Sequence, residues 1–289
     1  MSQICLTTAC APWFALPDLV PRLKQAGYDG IEVGLNDRKW DPAKSPDFWG
    51  NNQAMLDWSQ AQDEAAQLRQ VLDQHGLPCA AIASYVQTDD IDRIAVAVEV
   101  ARILGCEFIR VRVPWYGPGC DYRSLLEQAR TTYRDLAQIS QETGVDSLIE
   151  IHDNSICPTA SAAMRVLEGL DPSLVGVIFD PGNYAREGFE SLPMVIDLLG
   201  PYLRHVHVKN GRVAMSETTN SKGIRSEGPN CDLADGLIDW PQLITWLQGA
   251  GYDGWYSLEN FRGLESPDRR LQEDANWLRT QLTQATEAV

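Results

Sequence analysis

The stretch Leu203-Arg204-His205-Val206-His207-Val208-Lys209-Asn210 places two valines between His205, His207 and Lys209. A period of two is the β-strand signature, so the valines face one way and the two imidazoles and the ammonium face the other. Such a polar face cannot line a dry core without partners. One reading makes this strand the source of a metal ligand, His207 foremost. The other makes it a partly exposed strand with two hydrogen-bonded histidines. The rest of the chain decides between them.

On either side of this strand, short apolar runs alternate with longer amphipathic segments. Strands are expected at residues 4–8, 30–34, 79–83, 108–113, 147–151, 174–179, 203–210 and 254–258. Helices are expected at 16–25, 55–74, 89–104, 122–143, 159–169, 192–199, 240–249 and 268–285, several of them stopped by a glycine. Long loops are expected at 35–52 and 211–236. No linker or low-complexity run interrupts this order, so residues 1–289 read as one domain. Strands alternating with helices imply parallel strands and right-handed crossovers. Eight such units in 289 residues make an α/β fold, a single (β/α)8 barrel. A doubly wound open sheet would need a Gly-rich phosphate loop after the first strand, and none is there.

Composition is ordinary for a globular chain, with 44% hydrophobic and 22% charged residues. No apolar run reaches the roughly 20 residues of a membrane span. The start, Met-Ser-Gln-Ile-Cys, carries no basic n-region, so no signal peptide is expected. The seven cysteines form no CxxC pair and are odd in number, and they read as reduced thiols of a cytoplasmic protein. A net charge of −16 repels phosphate backbones and disfavours nucleic acid as a partner.

Barrel enzymes carry their chemistry at the C-terminal ends of the strands. The last four strands end on Glu150-Ile151-His152, Asp180-Pro181-Gly182-Asn183, His207-Val208-Lys209 and Glu259-Asn260. Glu150 and Asp180 lie 30 residues apart, and Asp180 and His207 lie 27 apart, about one βα unit each. The step from His207 to Glu259 is 52, lengthened by the 211–236 loop. A lone carboxylate in such a place often caps the next helix. Three carboxylates and a histidine on consecutive strands would repel unless a cation joined them. Oxygen-rich ligation with one imidazole suits Mn²⁺, Mg²⁺ or Co²⁺, with Zn²⁺ also open.

At these motifs, together with Gly27-Tyr28-Asp29-Gly30-Ile31-Glu32 and Asp239-Trp240-Pro241 to Gly254, the chain resembles the xylose-isomerase-like superfamily of divalent-metal sugar isomerases and epimerases. The resemblance spans nearly the whole chain. It implies Glu150, Asp180, His207 and Glu259 as metal ligands, and Glu150 and Glu259 as the acid/base pair on opposite faces of a carbohydrate. Proton removal next to a carbonyl gives a metal-stabilised enediolate. Return of the proton gives epimerisation or isomerisation, and loss of a β-hydroxyl gives dehydration. The expected function is a sugar, keto-sugar or cyclitol isomerase or epimerase. Its alternatives are an inosose dehydratase-like lyase or one subunit of a heteromeric sugar-processing enzyme.

Ketose 3-epimerases tend to carry a further glutamate where this chain has Ile156, and often a histidine where it has Asn183. A cyclitol, keto-sugar or sugar acid therefore fits better than a free ketose. An endonuclease IV-like nuclease would need more histidines than the four present. Homo-oligomerisation is carried only by the resemblance. Substrate-binding candidates are His152, Asn183, Lys209 and Arg112. Glu32, Tyr85, Trp13, Trp40, Trp49 and Trp115 are further candidates. His205 is expected to be structural and His75 to lie on the surface.

Overall fold

The computed structural model describes residues 2–220, 222–224, 226–262 and 266–288. Met1 and Val289, the ends of the expected single domain, lie outside the described residues, as do positions 221 and 225 of the expected 211–236 loop. The strands are β1 (Ile4–Thr7), β2 (Gly30–Asn36), β3 (Met55–Asp57), β4 (Cys79–Ser84), β5 (Phe108–Arg110), β6 (Asp146–Glu150), β7 (Val175–Phe179), β8 (Leu203–Val208), β9 (Ala214–Met215), β10 (Ser226–Glu227) and β11 (Tyr256–Leu258). The helices are α1 (Leu16–Ala26), α2 (Ala61–His75), α3 (Ile91–Leu104), α4 (Tyr122–Thr143), α5 (Ala160–Leu167), α6 (Pro181–Glu187), α7 (Leu192–Leu199), α8 (Trp240–Gly249) and α9 (Pro267–Ala288).

Eight strands close a parallel barrel in the order β1, β2, β4, β5, β6, β7, β8, β11 and back to β1. This is the expected (β/α)8 architecture. The short strand β3 adds to β2 outside the ring, and β9 pairs with β10 as a small antiparallel ribbon in the expected 211–236 loop.

Three expectations need correction. Residues 55–74 do not form one helix. Met55 and Leu56 are buried beside β2, the Asp57 side chain accepts from the Ser59 amide, and the helix starts only at Ala61. The fourth expected strand, 108–113, stops at Arg110, and beyond it only an isolated bridge joins Gln87 to Arg112. The segment after Asp180 holds an unforeseen helix, α6, which Asp180 caps and Pro181 opens. At seven residues, α6 is too short to show a hydrophobic period.

Alternation along each strand separates two environments. Ile109, Ile149, Val177, Val206 and Val208 belong to the main core cluster, which also takes in buried residues of the surrounding helices. Ala81, Phe108, Leu148 and Ile178 form a small apolar cluster of their own within the ring. Phe108 meets His205 edge-on, with ring centroids 5.0 Å apart. Two residues further along three of these strands stand Arg110, Glu150 and Asp180, and two past His205 stands His207. A step of two keeps a side chain on the same face and moves it by about 6.6 Å along the strand. The barrel interior thus passes from an apolar floor, through His205, to a charged layer at the C-terminal ends.

Candidate functional site

The floor of the site is built around Glu32, in the middle of β2 and fully buried. Its Oε2 accepts from Thr7 Oγ1 at 3.0 Å and Ser257 Oγ at 2.5 Å, and lies 3.1 Å from His205 Nε2. Its Oε1 lies 3.1 Å from His207 Nε2. Strand pairing makes this contact set possible, because Thr7 stands beside Glu32 and Ser257 beside His207 in register. Against the penalty of burial, the two histidines hold the Glu32 carboxyl well below the usual carboxylate range. His205 thus turns its Nε2 to Glu32, inside the barrel. Glu32 stands four residues before the end of β2, which runs on to Asn36.

With Nε2 committed to Glu32, His207 presents Nδ1 to the carboxylates above it. That nitrogen lies 3.2 Å from Glu150 Oε1, 3.6 Å from Glu259 Oε2 and 3.9 Å from Asp180 Oδ2. One ligand atom from each of Glu150, Asp180, His207 and Glu259 falls within 4.8 Å of all the others, and all four residues are buried. The four candidates read from the strand ends are thus brought together. Asp180 resolves the choice between helix cap and site residue by serving both. Its Oδ1 accepts from the Asn183 amide at the start of α6 at 2.9 Å, while Oδ2 faces the cluster.

Two permanent cations enter the layer. Arg110 Nη1 donates to Glu150 Oε2 at 2.8 Å. Lys209 Nζ donates to Asp180 Oδ2 at 2.9 Å, and to Glu259 Oε2 and Asn183 Oδ1 at 2.8 Å each. All three ammonium donors are therefore engaged with protein acceptors. Asn183 Nδ2 in turn donates to Asp180 Oδ2 at 2.7 Å and Glu150 Oε1 at 3.4 Å. Gly182 lets Lys209 cross α6, since a Cβ there would stand 2.5 Å from Lys209 Cγ.

Four buried carboxylates, Glu32, Glu150, Asp180 and Glu259, thus meet two permanent cations, which leaves an excess of two negative charges. The excess shows as retained protons. Burial, reinforced by Glu259 and Glu150, pushes Asp180 up to about 7 against the pull of Lys209. His207 is raised well above its usual range, because Glu32 and Glu259 outweigh its burial. Three carboxylate oxygens, one imidazole nitrogen and a deficit of two positive charges fit a hard or borderline divalent cation.

His152 lies at the mouth, a quarter exposed, with Nδ1 2.7 Å from the Asp153 carbonyl and its ring edge-on to Trp115. Arg112 stands beyond the end of β5, over the rings of Tyr85 at 4.2 Å and Trp115 at 5.5 Å. The arginine that touches Glu150 is Arg110, the last residue of β5, two positions before Arg112. The alternation of Phe108, Arg110 and Arg112 puts the three side chains on one face, and β5 ends at the second of them. On the opposite wall, Trp13, Phe48, Phe261 and Trp49 form a chain of ring contacts, and Phe261 lies 5.3 Å from Lys209 Nζ. Phe261 carried no sequence signal beyond its place after β11. Trp40 makes none of these contacts.

A family model for the xylose isomerase-like TIM barrel matches residues 20–281. An inosose dehydratase of Bacillus anthracis (strain CDC 684 / NRRL 3495) is 26% identical over 129 residues, which are 43% of this chain and 43% of that protein. The match thus spans less than half the length of that relative. The structure of a 3-keto-D-glucoside 4-epimerase from E. coli superposes with a TM-score of 0.73 at 16% identity, covering 97% of this chain and all of that one. A xylose isomerase-like TIM barrel protein from Mycobacterium smegmatis, solved with magnesium, gives 0.66 at 16% identity, covering 99% and 98%. At that identity the structural likeness shows the fold, and the family match shows the rest: this chain belongs to the xylose isomerase-like TIM barrel family.

Proposed function

We propose that this protein is a divalent-metal-dependent isomerase or epimerase of a sugar, keto-sugar or cyclitol, with Glu150, Asp180, His207 and Glu259 holding one ion. The observation that carries the proposal is the convergence of those four ligand atoms to within 4.8 Å of one another. The contact of His207 Nε2 with Glu32 supports it, because a ligating imidazole needs its other nitrogen fixed by an acceptor. A bound dication acts as a Lewis acid toward carbonyl and hydroxyl oxygens, which makes a neighbouring C–H proton removable.

The chain's own residues do the rest. Glu150, held ionised by Arg110, takes the proton and becomes the acid, while Glu259, starting in its protonated form, gives its own proton to the opposite face and becomes the carboxylate, so the pair carries one proton before and after. General-base catalysis of this kind contributes about 10² to 10⁴-fold. Asn183 and Lys209 hold Asp180 and Glu259 in place and lie within reach of substrate hydroxyls, and His152 guards the mouth. Dehydration is the second reading. It is favoured by the inosose dehydratase match and by Ile156 and Asn183, which replace residues typical of ketose 3-epimerases.

Elemental analysis of wild type beside Glu150→Gln and His207→Ala tests the site. About one Mn, Co, Mg or Zn per chain, lost in both variants, is expected. The metal-loaded protein should then exchange solvent deuterium into the carbon next to the carbonyl of a ketose or inosose. A wild type that binds no divalent ion after supplementation overturns the proposal.

A further inference from the structure

Arg110 and Arg112 flank the same aromatic ring, yet they are satisfied very differently. Arg110 is paired with Glu150, and its Nε donates to the Ser84 carbonyl at 3.2 Å, but its Nη2 is buried with no acceptor. Arg112 has no ion pair and no side-chain hydrogen bond among the described residues, and its Nε is likewise buried without a partner. Only the faces of Tyr85 and Trp115 attend it. Arg123 and Arg165 likewise have no acceptor among the described residues, but both are exposed to solvent, whereas Arg112 is not.

A half-buried guanidinium without a counter-ion is costly to keep. Burial and the neighbouring Arg110 charge lower Arg112 to about 10, which still leaves it charged at neutral pH. Aromatic faces on two sides hold its plane, which prepares the fork of donors for a flat two-oxygen acceptor. The Tyr85 ring touches both guanidinia, with its centroid 4.2 Å from Arg112 and 4.7 Å from Arg110.

We infer that Arg112 is the receptor for a carboxylate on the substrate, which makes the substrate a keto-sugar acid and not a neutral sugar. The inference rests on the proton-transfer reading above for the sugar part and on Arg112 for the acid part. It places the enzyme after a reaction that oxidises a sugar's terminal carbon to the acid, or an inner carbon of a sugar acid to the ketone.

Matched pairs separate the two parts. D-Fructuronate against D-fructose, and D-tagaturonate against D-tagatose, differ only in a carboxylate in place of a hydroxymethyl group. Binding of each to the manganese-loaded wild type is measured by calorimetry, and hydrogen exchange into each is followed in D₂O by NMR. A charge-assisted fork of hydrogen bonds should favour the acid of each pair roughly 10- to 100-fold in Kd. Arg112→Gln should abolish that preference by weakening the acid of each pair roughly 10- to 100-fold more than its ketose, and Arg112→Lys should recover part of it. Melting curves report whether each variant is folded.

Acids that bind no tighter than their ketoses, including binding of neither, overturn the inference. So does an Arg112→Gln variant that is folded and keeps the preference. An acid preference without exchange into either member supports the carboxylate receptor and overturns proton transfer instead.

Discussion

If the cluster holds a metal as proposed, replacing Glu32 by glutamine should weaken its binding without touching any of the four proposed ligands. Oε2 of Glu32 takes three contacts, from Thr7, Ser257 and His205, whereas Oε1 takes only His207. An amide has one oxygen and one NH₂ group. The oxygen belongs where three donors converge, so the NH₂ group faces His207 Nε2. Two donors cannot share that contact, so Nε2 gives up its proton and Nδ1 carries it. The protonated Nδ1 then points at Glu150, Asp180 and Glu259, where an ion would need a lone pair. Loss of such an outer partner costs about 10- to 100-fold in metal affinity, or about 1.4 to 2.7 kcal/mol. Titration of the metal-free protein with Mn²⁺, read by electron paramagnetic resonance, measures the change. A folded Glu32→Gln variant that binds Mn²⁺ within twofold of wild type would refute the tautomer argument.

Other outcomes follow from contacts already described. Arg110→Met strips the buried Glu150 Oε2 of its guanidinium and leaves only His207 and Asn183 at Oε1, which should cost about 3 kcal/mol of stability in denaturant titration. Gly182→Ala drives a methyl group to 2.5 Å from Lys209 Cγ, so a loss of about 1 to 3 kcal/mol and a sharp fall in turnover are expected. Asn210→Ala removes a side chain that donates to the Leu233 and Ile238 carbonyls and accepts from the Gly211 and Ile238 amides. Trypsin should then cut faster at Arg212, with the rest of the barrel left intact on gels. Chelation should lower the melting temperature of wild type and leave that of His207→Ala unchanged, since only the first loses a stabilising ligand.

The parts of this molecule that were legible in its sequence are those set by local periodicity. The alternation of Val206 and Val208 with His205, His207 and Lys209 is carried straight into β8, because side-chain direction in a strand depends on parity alone. Helix ends such as Gly76, with φ 57°, were equally plain, since a left-handed residue there favours glycine. The convergence of Glu150, Asp180, His207 and Glu259 followed once the strand ends were placed. What escaped was whatever depended on strand length or on contacts across the ring. Glu32 and His207 are 175 residues apart, and nothing local marks them as partners. Arg110 and Glu150 are 40 residues apart, and their pairing likewise has no local mark. Asn183 and Lys209 were picked out as substrate contacts, yet their bonds to one another depend on α6, whose single cap signal, Asp180, had been assigned to the cluster.

Asp180 divides its two oxygens between the first turn of α6 and the cluster of ligands. Mechanically, this joins the chemistry at the barrel mouth to the backbone of one short helix. A pull on one oxygen is felt at the other, so the Asn183 amide is a built-in gauge of site occupancy. Its nuclear resonance and its rate of exchange with solvent should register a filled or empty centre with no substrate present, and could be followed on the resting protein inside a crude extract.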